Sequence, residues 1–333
     1  MNKLEAIWSV RHWPHISLDI MIGLAVASVV AGFVAVNALF IIWMDRKVAA
    51  HMQIRKGPNR VGPFGLLQTI ADTVKLLIKE DIVPTVADKP LFLIAPILVF
   101  VSTFAVFLII PFGKGLIADD LNVGVLYIMA VTGLAVIGIL TAGWASNNKY
   151  SLMGSLRSAA QIISYEIPVV LIMISVVLLA GSLKMTDIIN AQPRFGFILY
   201  SPLGFVLFLI ATNAEINRSP FDLPEGESEL VSGYLTEYSA MKFATFFLAE
   251  YTNLFLSGAI VTTLFLGGWR GPSFLPPIFW FFLKTYFVVF LLMWIRWTFP
   301  RIRVDHLMTF CWKIMVPLAL FNLVVTAIVA KLV

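Results

Sequence analysis

Carboxylates inside apolar segments are the residues of this sequence most able to carry chemistry. Glu250 stands in "FATFFLAEYTNLFLSG", Glu166 stands in "SAAQIISYEIPVV", and Glu215 ends another apolar run. An ionised group at the centre of a bilayer costs about 2.5–3.5 kcal/mol on insertion scales, so such residues have either a partner or a function. Buried carboxylates that lie close together can share and pass protons near neutral pH. The pattern predicts a proton relay.

Further carboxylates gather in one short connection, "NRSPFDLPEGESELVSGYLTEY" (217–238). The whole chain has 19 acidic residues among 333. Those within this connection are Asp222, Glu225, Glu227, Glu229 and Glu237. Apolar residues alternate with the acids, and two prolines restrict the backbone. We therefore predict that the loop folds against another surface instead of remaining fully solvated.

Membrane helices must position these carboxylates. The chain is 59% hydrophobic and 13% charged, with a mean hydropathy of +0.90, whereas about a quarter of the residues in soluble domains are charged. Apolar runs long enough to cross a bilayer recur at approximately 18–44, 91–110, 121–143, 158–180, 198–216, 240–266, 274–298 and 307–331. The sequence thus predicts an all-α polytopic membrane protein with about eight transmembrane helices, forming a single membrane domain over residues 1–333.

The long connection 45–90 contains one further helix pattern. Apolar residues recur at helical spacing between residues 63 and 81, with Asp72, Lys75 and Lys79 outside the apolar stripe. This pattern predicts an amphipathic helix that lies along the membrane surface.

Lys and Arg concentrate in the connections 45–90, 144–157, 217–239 and 299–306. The positive-inside rule predicts that these connections face the cytoplasm and that both termini lie on the outer side. This bias also accounts for the net charge of +5, which therefore does not indicate nucleic-acid binding.

Redox and nucleotide sites are not predicted within the chain. Cys311 is the single cysteine, so the chain can form neither an internal disulfide nor a cysteine-ligated iron–sulfur cluster. No pair among the four histidines falls within two apolar runs, and no GxxxxGK[ST] loop is present. If the protein takes part in redox chemistry, a partner must supply the electrons.

Long, ordered motifs identify a family. The segments "DRKVAAHMQIRKGPNRVGPFGLLQTIADTVKLLIKED" (45–81), "GWASNNKYSLMGSLRSAAQIISYEIP" (143–168), "NAEINRSPFDLPEGESELVSGYLTEYSAMKFATFFLAEYTN" (213–253) and "WIRWTFPRIRVDHLMTFCWKIMVPL" (294–318) resemble the H subunit of proton-translocating NADH:quinone oxidoreductase, respiratory complex I. The mitochondrial counterpart is NADH dehydrogenase subunit 1. The resemblance implies a membrane subunit that forms the access tunnel for quinone and couples quinone reduction to proton translocation.

The resemblance also implies roles for matching positions. The implied proton-relay residues are Asp72, Glu166, Glu215, Glu250, Glu225, Glu227 and Glu229. The implied residues of the quinone tunnel and its entrance are Asp45, Arg46, Lys47, Arg55, Lys56, Phe64, Phe221, Arg218 and Asp222. The implied charge-balancing positions are Arg157, Arg296 and Arg301, with Tyr251 beside Glu250.

The same resemblance implies the surroundings of the chain. The expected substrate is ubiquinone or menaquinone, and no metal, flavin or iron–sulfur cluster is expected to bind to this chain. The expected partners are peripheral-arm subunits that carry the terminal iron–sulfur cluster and the quinone site, small membrane subunits, antiporter-like subunits and membrane lipid. The expected location is the bacterial inner membrane, with both termini periplasmic, in preference to the mitochondrial inner membrane.

Three residues depart from the family pattern: Asp45 replaces the usual Glu, Ile216 the usual Thr, and His306 the usual Gln. Other functions also stay open. A related ferredoxin-, F420- or hydrogenase-linked membrane complex would share the fold, although the full "GPNRVGPFG" favours a quinone-reducing one. A self-contained proton/cation antiporter would require a midplane ion site with broken helices or inverted repeats, and no repeat is evident. A purely structural anchor would leave Glu166, Glu215 and Glu250 unexplained.

Overall fold

The computed structural model describes residues 13–192, 196–223 and 226–332, without the side chains of residues 13–20, 22, 227 and 228. The helices are α1 Trp13–Met52, α2 Gln68–Ile78, α3 Lys89–Val106, α4 Gly124–Ala145, α5 Lys149–Ala180, α6 Met185–Ala191, α7 Pro202–Glu215, α8 Glu227–Leu230, α9 Ala240–Phe265, α10 Pro277–Thr298, α11 Val304–Phe310 and α12 Val316–Leu332. A π-helical turn, Cys311–Met315, joins α11 to α12. In these ranges the only strand-like pairing is an isolated bridge between Gly113 and Leu116. The predicted all-α class is confirmed.

Seven helical segments of the described chain are long and apolar enough to span a membrane, so the protein is a multi-pass membrane protein. The apolar run at 198–216 forms a shorter helix, α7, of 14 residues. At 1.5 Å per residue α7 is about 21 Å long, less than the roughly 30 Å hydrocarbon core. Pro202 stands in the first turn of α7, and Asn217, just beyond its end, has a left-handed φ of 57°. These two local signals confine the helix to part of the apolar run.

The first helix extends past the apolar run that predicted it. The run covers residues 18–44, whereas α1 continues to Met52. Asp45, Arg46 and Lys47 therefore lie on a rigid helix and not on a loop, which fixes where their side chains can reach.

The amphipathic segment forms a helix, α2, within the predicted range of 63–81. A salt bridge of 2.5 Å between Arg46 and Asp72 holds α2 against the end of α1. Ile70, Val74 and Leu77 on α2 are exposed. An exposed apolar side of this kind suits a helix lying in the membrane surface.

The connections between the helices divide into two groups. Residues 53–88, 146–148, 216–223, 226–239 and 299–303 meet at one end of the bundle, which we call the acidic end: the Asp88 amide donates to the Ala145 carbonyl at 3.0 Å, and the Ile302 amide to the Pro220 carbonyl at 3.1 Å. Residues 110–123, 181–192, 196–201 and 266–276 form the opposite end, where the Val125 amide donates to the Leu183 carbonyl at 3.0 Å. The acidic end contains the four connections that were predicted to face the cytoplasm. That this end lies on the cytoplasmic side of the membrane stays a prediction.

Helix α9 lies at the centre of the bundle and has the largest buried share of the seven spanning segments of the described chain. Phe255 on α9 packs against Phe33, Phe107 and Tyr286 from three other segments, with ring centroids 5.7, 6.1 and 6.0 Å away. Glu250 and Tyr251 precede this aromatic core by one to two turns on the same helix. The fold thus holds both residues on its most enclosed helix.

Candidate functional site

Asp45 is the centre of a buried charged cluster at the acidic end. Its side chain accepts hydrogen bonds from Arg296 Nη1 at 2.9 Å, Trp297 Nε1 at 2.9 Å and the Tyr251 hydroxyl at 3.0 Å. The residue is only 3% exposed. Burying a charge is costly unless it is paired, and the neighbouring guanidinium supplies the opposite charge. The cluster ties together α1, α9 and α10.

A cleft of about 400 Å³ opens beside this cluster. Its lining includes Tyr251, Trp297 and Arg296 together with Asp45, Arg46, Arg55 and Lys56. Four of the positions expected at a quinone entrance are therefore neighbours. Lys47 is not in the lining and donates to the Asn59 side chain at 3.2 Å. Phe64 is 76% exposed on the turn before α2, outside the lining, and its carbonyl accepts from Trp43 Nε1.

Arg218 lies between two carboxylates that come from different helices. Its Nε donates to Glu250 Oε1 at 2.9 Å, and its Nη1 is 3.9 Å from Asp45 Oδ2. Its guanidinium carbon is 4.4 Å from the centroid of the Tyr251 ring, which adds a cation–π contact. The residue is 2% exposed, and neither Nη atom has a hydrogen-bond partner in the described part of the chain. Arg218 is thus a buried cation with unused donors.

Glu166, Glu215 and Glu250 line one internal cavity of about 100 Å³. Asn217 and Asn253 also line it. A cavity of this size has room for several water molecules, since one water needs roughly 10–15 Å³ of probe volume. The structure therefore brings together the three carboxylates that stood out in separate apolar runs, and Glu250 belongs both to this cavity and to the pair with Arg218.

Pro168 explains the local structure around Glu166. Proline has no amide hydrogen, so the carbonyl of Ser164, four residues earlier, loses its helical donor. The Cys311 thiol lies 3.1 Å from that carbonyl and donates to it. Cys311 begins the π-helical turn between α11 and α12, so the two irregular helix segments contact each other. This contact fixes the turn of α5 that carries Glu166.

The described parts of the loop, 217–223 and 226–238, pack against α5. Gln161 Nε2 donates to the carbonyl oxygens of Ala214 and Phe221, both at 2.7 Å. A Cβ on Gly154 would lie 2.6 Å from the Cα of Gly233, so glycine at position 154 lets the loop approach the helix closely. Phe221 is buried in this interface.

The described acidic residues of the loop, and Asp72, do not line the cavity. Glu229 pairs with Arg157 at 2.6 Å, and Glu237 accepts from Asn148 at 2.6 Å. Arg301 Nη2 donates to the backbone carbonyl of Asp222. Asp72 is paired with Arg46 on the surface helix. Glu225 and the side chain of Glu227 lie outside the described residues.

The ion pair between Arg157 and Glu229 makes the stability of the loop depend on pH. The hydrogen bond from Arg157 and the positive charge of that residue lower the pKa of Glu229, with smaller contributions from Arg301 and Arg303. The pair therefore contributes fully to the stability of the loop at pH values above the ordinary carboxylate pKa. This contribution is lost as the pH falls through the lowered pKa of Glu229. We expect Arg157→Gln to speed amide exchange in residues 226–235 at pH 7. Hydrogen–deuterium exchange, corrected for intrinsic rates, measures this; exchange unchanged from wild type, or an equal effect of Arg60→Gln, would contradict it.

Several site residues carry weak sequence signals. Asn253 follows Glu250 by three positions, so helical spacing puts it on the same face of α9. Trp297 is adjacent to Arg296, but only the packing of α1 against α10 brings it to Asp45, 252 positions away. Gln161 is a polar residue in an apolar run, and its two acceptors come from a different segment.

The cleft beside Asp45 is the candidate ligand site at the acidic end. The cleft beside Asp45 has aromatic walls and several cationic donors, which fits a small polar headgroup. For a metal ion, residues 13–192, 196–223 and 226–332 contain no group of three or more His, Cys, Asp or Glu that could hold one.

Comparison with known proteins agrees with this architecture. The family model described as NADH dehydrogenase matches residues 24–327. The H subunit of NADH-quinone oxidoreductase from Carboxydothermus hydrogenoformans is 52% identical over 319 residues, 95% of this chain and 91% of the relative. The H subunit from Brevibacillus brevis is 54% identical, covering 91% and 90% of the two chains, and that from Anoxybacillus flavithermus is 50% identical, covering 98% of each. The chain belongs to the NADH dehydrogenase family, among the H subunits of NADH-quinone oxidoreductase, an oxidoreductase complex.

Proposed function

We propose that this chain guides a quinone to the cleft beside Asp45 and transmits the charge change of quinone reduction to the cavity of Glu166, Glu215 and Glu250. The observation that carries the proposal is Arg218, a buried cation whose two neighbouring carboxylates face different spaces. Asp45 lines the cleft, and Glu250 lines the membrane cavity. A change of charge in the cleft therefore alters the interaction of Arg218 with Glu250 in the cavity.

The cleft suits a quinone headgroup on chemical grounds. Quinone oxygens accept hydrogen bonds, and the guanidinium groups of Arg46 and Arg55 supply donors in the lining. The isoprenoid tail needs an apolar path to the bilayer. The surface helix α2, with its exposed apolar side, is linked to the cleft residue Arg46 through Asp72.

Coupling follows from the short distances around Arg218. Unit charges 4 Å apart interact with about 4 kcal/mol at an effective dielectric of 20. Negative charge that appears on a reduced quinone attracts Arg218 and weakens its hold on Glu250. Glu250 is then released from Arg218 and can exchange a proton with Glu215 and Glu166 across the cavity that all three line.

The electrons must come from a partner, because the chain has one cysteine and that residue is buried. In this proposal the acidic end binds the peripheral-arm subunits that carry the terminal iron–sulfur cluster, and the rest of the single membrane domain contacts other membrane subunits. Both termini are periplasmic in a bacterial inner membrane. The quinone is ubiquinone or menaquinone.

The test uses Glu250→Gln and Glu215→Gln in the assembled complex. We expect each variant to lose about 100-fold in NADH-dependent quinone reductase activity. This is the smallest effect that is typical of losing a group that transfers a proton. Blue native electrophoresis checks that the complex still assembles. Glu80→Gln, which neutralises an exposed carboxylate of the acidic end, is the matched control and should retain activity. Full proton pumping in both glutamate variants, measured in vesicles, would refute the relay.

A related complex with another electron donor is the main alternative. The relatives reported above are all named as H subunits of NADH-quinone oxidoreductase, which favours NADH as the donor. Purifying the tagged chain and identifying its companion subunits distinguishes the donors. A self-contained antiporter would instead exchange protons for cations when the isolated chain is reconstituted in vesicles.

A further inference from the structure

A second polar pocket lies at the opposite end of the bundle, away from the charged cluster. It has a volume of about 440 Å³ and is formed by the connection 110–123, helix α6 and the turn 266–276. Its lining includes Lys114, Asp120, Trp269 and Arg270. None of these residues takes part in the proposed quinone and proton site.

Asp120 has one satisfied and one unsatisfied oxygen. Its Oδ2 accepts from the Thr186 hydroxyl at 2.7 Å and from Lys184 Nζ at 3.0 Å. Its Oδ1 is buried and has no hydrogen-bond partner within the described chain. Leaving a buried acceptor unpaired is costly, so this oxygen requires a donor. A ligand with a hydroxyl group at this position would supply one.

Two cations at the pocket are not balanced by the carboxylate. The charge of Lys184 is used on Asp120, which also raises the pKa of that lysine. Lys114 is exposed on the turn 113–115, and no hydrogen bond or ion pair involves it in the described part of the protein. Arg270 donates to the Gln192 carbonyl but has no carboxylate partner among the described residues. Asp119 and Asp187 are nearby in sequence but do not line the pocket.

An aromatic cleft of about 380 Å³ adjoins the polar pocket, and Trp269 belongs to both linings. The cleft is lined by Phe274 and Trp280, whose ring centroids are 5.1 Å apart. Trp280 Nε1 donates to the Pro272 carbonyl at 2.9 Å, which fixes its ring. Aromatic side chains of this kind are enriched at the membrane interface, at the level of lipid headgroups.

We propose that the pocket binds an anionic phospholipid whose headgroup carries a hydroxyl, as in phosphatidylglycerol. The phosphate lies between Lys114 and Arg270, the headgroup hydroxyl donates to Asp120 Oδ1, and the apolar part of the lipid lies along Phe274 and Trp280. Charge complementarity selects the phosphate, and the unsatisfied oxygen of Asp120 selects the hydroxyl. Basic pockets between membrane helices are common sites for anionic headgroups.

The test is lipid retention by the intact complex, measured by native mass spectrometry after exchange into phosphatidylcholine nanodiscs that contain a minor fraction of phosphatidylglycerol. A basic residue near a lipid surface contributes enough attraction to change affinity about fivefold. We therefore expect Lys114→Gln to weaken phosphatidylglycerol binding about fivefold. Lys331→Gln removes an exposed cation at the same end of the bundle, outside the pocket, and should leave binding unchanged.

Two further probes separate the possible ligands. Phosphatidylmethanol carries the same charge without the hydroxyl, so weaker binding than phosphatidylglycerol supports the role of Asp120, and equal binding overturns it. Displacement of the lipid by millimolar inorganic phosphate would show an anion site with no lipid selectivity and overturn the proposal. Equal retention in wild type and Lys114→Gln, or cross-linking of position 114 to another subunit in place of lipid, would also overturn it.

Discussion

Replacing Arg218 with methionine is expected to destabilise the chain by about 3–5 kcal/mol and to abolish quinone reduction by the complex. Arg218 is 2% exposed and donates to Glu250 at 2.9 Å. Methionine fills a similar volume but leaves Glu250 without its cation. Asp45 suffers less, because Arg296 still donates to it at 2.9 Å. Denaturant titration in mixed micelles measures the stability, and NADH-dependent quinone reduction measures the function.

A double variant separates the two consequences of losing Arg218. In Arg218→Met/Glu250→Gln the unpaired charge is removed together with its partner, so we expect stability to recover largely while activity stays lost. Arg55→Gln changes an exposed cation of the cleft and is the control for a general charge effect. If Arg218→Met keeps both wild-type stability and activity, or if the double variant regains activity, Arg218 does not connect the two sites.

Local sequence signals predicted the parts of this protein that depend on local physics. Hydropathy identified the membrane helices because each span must satisfy its own backbone hydrogen bonds and bury its own apolar surface. The same argument singled out Glu166, Glu215 and Glu250, since a charge in an apolar run is visible without knowledge of its neighbours. Helical spacing likewise predicted α2 within residues 63–81.

Contacts between distant segments could not be predicted in this way. Trp297 and Tyr251 reach Asp45 across 252 and 206 positions, and only the packing of α1, α9 and α10 creates these hydrogen bonds. The position of Arg218 between Asp45 and Glu250 has the same origin. The pairing of Asp72 with Arg46 likewise joins two helices, and the relay role that the resemblance implies for Asp72 stays a prediction. Helix α7 is shorter than its apolar run because Pro202 and Asn217 mark its two ends, and hydropathy alone does not detect such signals.

The three departures from the family pattern have different structural settings. Ile216 is buried and lines the cavity beside Glu215, where it adds an apolar side chain to the lining. His306 is exposed on α11 and lies outside both the cleft and the cavity. Asp45 is the departure with the most contacts, because three donors from two other helices converge on its shorter carboxylate.

Asp45→Asn is expected to produce the second large effect, a loss of about 3–5 kcal/mol in stability together with a strong loss of quinone reduction. Asparagine keeps the shape of the side chain but leaves Arg296 without its carboxylate, and its amide group cannot accept from all three donors. Asp45→Glu is the informative comparison: it keeps the charge, but the extra methylene must fit where Asp45 is 3% exposed, so we expect a cost of about 1–3 kcal/mol with activity retained. Denaturant titration, with kcat and KM for a short-chain quinone, distinguishes the two variants. Equal activity in Asp45→Asn and Asp45→Glu would mean that the charge of Asp45 is not what the cleft requires, and the path from the cleft through Arg218 to Glu250 would lose its first member.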